Sequence, residues 1–116
     1  MECPSDPDLG AGILQGRGQN ATLWAMFFAP AGRLTTAQEN KIVWRMTGSG
    51  DITIVATGPD GAAVQPTWLE LHGGSNFDRP GDEIGTGWKF PTPGCWTFHA
   101  TRSTGSAELT VRVDTP

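Results

Sequence analysis

From Lys41 to the end of the chain, apolar and polar residues alternate in short runs, each closed by a glycine- or proline-rich corner. An alternation of period two buries one face of a strand and wets the other, so the pattern predicts strands. In Lys41–Met46, Ile42, Trp44 and Met46 share one face while Lys41, Val43 and Arg45 share the other. Asp51–Thr57 turns Ile52, Ile54 and Ala56 inward, and Glu83–Phe90 does so with Ile84, Trp88 and Phe90. Cys95–Arg102 points Trp96, Phe98 and Ala100 inward, and Ala107–Asp114 points Leu109, Val111 and Val113. Ala62–Leu71 is a further strand, and Ala21–Ala29 precedes them all. Ala21–Ala29 carries Leu23, Ala25 and Phe27 on one face and Trp24, Met26 and Phe28 on the other, which predicts cover on both sides. Seven strands at this spacing define an all-β fold, an antiparallel β-sandwich.

The corners refine this plan. Gly58-Pro59-Asp60-Gly61 is a turn in which proline presets φ and glycine accepts a positive value. Gly48-Ser49-Gly50, Pro91–Gly94 and Ser103–Ser106 supply the other reversals. Pro66 cannot donate to a ladder, so Ala62–Leu71 is expected at an edge or with a bulge. The connector 30–40 has room for one helical turn at Thr35–Glu39. Residues 1–20 read as a tail, with Gly12-Ile13-Leu14-Gln15 able to add an edge strand, and residues 21–116 as one domain. Gly73–Asp82 is the least regular internal stretch.

Composition narrows the function classes. In a chain of 116 residues, one core is the natural outcome, and five tryptophans and five phenylalanines supply its bulk. The eight basic residues lie singly along a chain of net charge −4, so no cationic cluster exists to neutralise nucleic-acid phosphates or an anionic membrane surface. No apolar run approaches the ~20 residues that span a bilayer. The opening Glu2-Cys3-Pro4-Ser5-Asp6 is polar and unlike a secretory signal. The chain is therefore cytosolic or a mature form whose signal has been removed, and its composition favours the second.

Cys3 and Cys95 are the only cysteines. They admit three arrangements: a disulfide tying the tail to a late strand, lipidation of Cys3 as the anchor of a lipoprotein, or two separate thiols. The first closes a long loop, worth ~4 kcal/mol on the chain-entropy account.

The closing stretch FPTPGCWTFHATRSTGSAELTVRV resembles the final hairpin of bacterial immunoglobulin-like domains. Trp96 stands where many of those domains carry a corner tyrosine, and Trp44 resembles their core tryptophan. The segment from Lys41 through GSNFDRPGDEIGTGWKFPTPGCW also resembles small envelope lipoproteins of bacteria. The resemblance, over about two-thirds of the chain, implies an extracytoplasmic immunoglobulin-like sandwich. No cysteine faces Cys95 across the sheets, so the inter-sheet disulfide of antibody domains is not expected. The recognition loop of immunoglobulin-like protease inhibitors is not recognisable either.

Few residues offer catalytic chemistry. His72 and His99 match no metal-ligand spacing and are expected as outward-facing strand residues, His72 beside Trp68 and Glu70 and His99 between Thr97 and Thr101. The richest polar stretch is Asp78-Arg79-Pro80-Gly81-Asp82-Glu83. Asp78, Asp82 and Glu83 are candidate calcium ligands, set against the simpler expectation that Arg79 neutralises them. Asn76 and Asp78 are candidates to cap local turns. If Leu69 and Leu71 enter the core, Trp68 takes the outer face near His72 and can stack on a sugar or anchor a protein. The predicted function is a non-catalytic cell-envelope or secreted module that needs no cofactor and either binds a protein or glycan through the Gly73–Asp82 loop and nearby aromatics or spaces another component. Its binding residues would be Trp68, His72, Asn76, Asp78 and Arg79. An inhibitor-like or chaperone-like domain docking onto an enzyme is the alternative.

Overall fold

The computed structural model describes residues 13–28, 33–72 and 79–116. Eleven strands are present among them: β1 Ile13–Gln15, β2 Arg17–Gln19, β3 Leu23–Phe28, β4 Leu34–Thr35, β5 Asn40–Met46, β6 Thr53–Thr57, β7 Ala63–Val64, β8 Trp68–His72, β9 Asp82–Trp88, β10 Gly94–Arg102 and β11 Gly105–Asp114. One sheet runs β1-β3-β5-β9-β8 and the other β2-β11-β10-β6-β7, with β4 beside β11. All pairings are antiparallel except β4 with β11. None of the described residues is helical, and no helix among them is long and apolar enough to cross a membrane.

The inward faces follow the alternation. Leu23, Ala25 and Phe27 of β3, Ile42, Trp44 and Met46 of β5, and Ile84 and Trp88 of β9 meet Ile54, Ala56, Trp96, Phe98, Ala100, Leu109, Val111 and Val113 in one core. Phe98 joins the two layers. Its ring lies edge-on to Trp44 at 5.1 Å and to Trp88 at 5.0 Å, both on the opposite sheet, and Phe90 sits 5.2 Å from Trp96. Edge-to-face contacts of this kind add to the stabilisation from area burial alone.

Two segments switch from one sheet to the other, and each closes one side of the sandwich. Ile13–Gln15 pairs with β3, whereas Arg17–Gln19 pairs with β11. Gly16 makes the crossing: its N–H donates to the Leu23 carbonyl, and a Cβ there would lie 2.6 Å from the Glu108 carbonyl oxygen. On the far side, the stretch Ala62–Leu71 is not one strand. It breaks at Gln65-Pro66-Thr67 into β7 on one sheet and β8 on the other. Proline without an N–H donor explains where the ladder ends.

Three further expectations are corrected. Thr35–Glu39 forms a hydrogen-bonded turn at residues 36–37 and no helix. The fully buried Asn40 side chain holds it, its amide donating to the carbonyls of Thr35, Gln38 and Trp88 and its oxygen accepting from the Thr35 N–H. Secondly, the outer face of β3 is only partly covered: Trp24 and Met26 are half-buried and Phe28 is exposed, with the Lys41 ammonium 5.0 Å from its ring centre. Thirdly, Leu69 and Leu71 are exposed, by 40% and 81%.

Thr86 places a hydroxyl between two indoles inside the core. The Thr86 hydroxyl accepts hydrogen bonds from the indole N–H groups of Trp44 and Trp88, each at 2.8 Å, and donates to the Ile42 carbonyl at 2.8 Å. Thr86→Val keeps the shape but strands two buried donors, each costing about 1–3 kcal/mol. Urea unfolding should show a loss of about 3 kcal/mol or more for Thr86→Val, against about 1 kcal/mol for Thr86→Ser, which keeps the hydroxyl. A valine variant as stable as the serine variant would contradict this role.

Candidate functional site

The open corner of the sandwich lies at β8. Its register with β9 sets Trp68 opposite Gly87, Leu69 opposite Thr86, Glu70 opposite Gly85 and Leu71 opposite Ile84. Residues directly opposite in an antiparallel pair share a face. Leu69 and Leu71 therefore point to the core side, as the alternation implied, and Trp68 and Glu70 point outward. The leucines nevertheless remain exposed, and among the described strands β8 pairs only with β9. They line a groove of about 540 Å³ with Ile52, Ile84 and the turn Gly48–Asp51.

Trp68 is half-buried on the outer face. It lies against Gly87, where a Cβ would come within 2.1 Å of its indole nitrogen. Its N–H faces the Glu39 carboxylate at 3.3 Å, and the Thr67 hydroxyl donates to the same carboxylate at 2.5 Å. That hydroxyl bond is the main cause holding the Glu39 carboxyl below its ordinary range, helped by Trp68 and by the charge of Lys89. Glu39 thus straps the start of β8 to the turn before β5. Sequence reasoning missed it, because a glutamate 29 positions away in the chain carries no local signal of this contact.

The acidic stretch is divided between faces. Asp82 and Glu83 are successive residues of β9 and so point to opposite sides. Asp82 meets Arg102 at 2.6 Å, and Glu83, with a side chain 1% exposed, meets Arg45 at 3.1 Å. Arg102 also donates to the carbonyls of Met46 and Gly50, fixing the floor of the groove to the turn that walls it. Arg45 donates to the Gly81 carbonyl. Neither arginine was singled out by the sequence pattern, since each comes from a distant strand.

The remaining predicted residues fall elsewhere. Arg79 is exposed. His72 ends β8 opposite Glu83, and its side chain lies outside what the structure describes. Asn76 and Asp78 also lie outside the described residues, and so does Cys3. Among the described residues no three His, Cys, Asp or Glu side chains gather as metal ligands. Cys95 is half-buried at the start of β10 and is not a free thiol. His99 stands on the outer face of the second sheet, half-exposed, with Nδ1 3.4 Å from Glu108 Oε1. It is far from β8.

No protein-family model matches the chain, and neither a curated protein nor a solved structure matches it. The geometry of the β8 corner is therefore what a functional reading must rest on.

The Glu39 strap has a pH signature. A carboxyl held below its unfolded value stabilises the fold fully above that value, and the contribution drains away as pH falls through the lower, folded one. The stability difference between wild type and Glu39→Gln should shrink as pH is lowered from about 6 to about 3 in urea melts. A difference constant across that range would contradict the strap.

Proposed function

We propose that this chain is a non-catalytic binding module of the cell envelope or secreted space, an immunoglobulin-like sandwich that engages a protein partner at the β8 corner. The observation that carries the reading is the pair Leu69 and Leu71. They are large apolar side chains on a strand, turned toward the core side yet left 40% and 81% exposed. A partner's apolar surface removes that area from water, worth ~25 cal/mol per Å². A protein fits this better than a glycan. Sugar rings stack on open aromatic faces, whereas Trp68 is half-buried against Gly87 with its N–H turned to Glu39.

The immunoglobulin-like character is supported by the sheet-switching first segment β1–β2. If β3 and β9 take the places of two neighbouring strands of that fold, β5 is an added strand between them. Location outside the cytoplasm is supported by Cys95, which is not a free thiol and whose only possible partner within the chain is Cys3. A Cys3–Cys95 bridge takes precedence over a lipid at Cys3 on that ground.

Two measurements test these readings. Photo-crosslinking in the native envelope fraction, with benzoylphenylalanine replacing Leu71 or Glu108, should give a protein adduct at position 71 and none at position 108. Adducts equal at both positions, or none at either, would remove the binding reading. Thiol titration of unfolded, unreduced protein should find no reactive thiol; two reactive thiols would remove the disulfide.

A further inference from the structure

We infer that β8 takes up an extended segment of a partner protein as an added strand. The segment would alternate apolar side chains, seated over Leu69 and Leu71, with outward-facing residues that include lysine or arginine. This deepens the binding reading above and rests on it.

The first support is the unevenness of the sheet edges. Exposed edges are commonly blunted by being short. Among the described residues four of the five edge strands are: β1 and β2 have three residues each, β4 and β7 two each. β8 has five, about 17 Å of extended backbone at ~3.4 Å per residue, and among the described residues it pairs only with β9. An incoming strand gains ladder hydrogen bonds there, as in other cases of strand addition.

The groove supplies the second. Side chains of an added strand alternate between faces, so every second one would enter the 540 Å³ space bordered by Leu69, Leu71, Ile84 and Ile52. Such a segment would place its apolar residues on one face only.

Charge selects the occupant. Glu70 projects outward from β8 and Asp51 borders the groove, while the Asp82 carboxylate is already neutralised by Arg102. The buried Arg102 nearby is committed to Asp82 and to two carbonyls. The rim therefore favours basic residues on the guest. A second copy of this chain fits poorly, because antiparallel β8–β8 pairing centred on Glu70 sets the two carboxylates directly opposite, and each chain carries net charge −4.

A library of random seven-residue peptides displayed on phage, panned against the full chain, tests this. Enriched peptides should alternate apolar with polar residues and carry Lys or Arg. An enriched peptide made synthetically should slow amide exchange of Leu69–Leu71 in β8. It should also bind at least tenfold more weakly to Leu71→Lys, a change at a side chain 81% exposed that leaves the core intact. Leu71→Val should retain binding. Enriched peptides without alternation, binding untouched by Leu71→Lys, or a dimer that buries β8 would each overturn the proposal. Peptides that bind at another face would overturn it while leaving the chain a binding module. No enrichment at all would remove both.

Discussion

Everything in this sandwich hangs on how two tryptophan N–H groups are satisfied inside an oily interior. Trp44 and Trp88 are fully buried, and an indole N–H without a partner in such a place costs more than most single side-chain contacts return. A single hydroxyl, that of Thr86, serves both and passes its own proton to the Ile42 carbonyl. Because Thr86 lies directly opposite Ile42 and two residues from Trp88, the arrangement fixes the β5–β9 register. A slip by one residue would turn Thr86 to solvent and leave both indoles unpaired. Phe98 then locks the second sheet onto the same pair of rings.

The closed centre explains the open corner. Bulky rings concentrated between β5, β9 and β10 hold the layers together where Trp44, Trp88 and Phe98 meet. Toward β8, among the described residues, the groove is lined by Leu69, Leu71 and Ile84 on one side and by Ile52 and a glycine-rich turn on the other. Arg102 and Asp82 keep that turn in place without filling the gap. The result is a packed frame with an apolar edge at which Leu69 and Leu71 stay exposed.

Much of the frame was legible in the chain because alternation is a local property. Ile42, Trp44 and Met46, or Trp96, Phe98 and Ala100, declare their common face within a few residues, and all of them are buried. Contacts that join distant residues left no such mark. Nothing around Glu39 announces Trp68, and nothing around Arg102 announces Asp82. The same limit accounts for Leu69 and Leu71: alternation gives the direction in which a side chain points, not whether another layer lies there to receive it. The split of Ala62–Leu71 was half-visible in Pro66, which marks where a ladder stops but not that the chain then changes sheets. Similarly, polar residues at Thr35–Glu39 were compatible with a helical turn until the buried Asn40 amide took the backbone carbonyls for itself.

The central claim is that a shared hydroxyl keeps two indoles dry while the edge stays open to water. Hydrogen exchange of the five tryptophan indole N–H groups, followed by NMR, tests it most directly. The indoles of Trp44 and Trp88 should exchange only through global unfolding, while those of Trp68 and Trp24 exchange rapidly by local fluctuation. Exchange of Trp44 or Trp88 as fast as that of Trp68 would contradict the account.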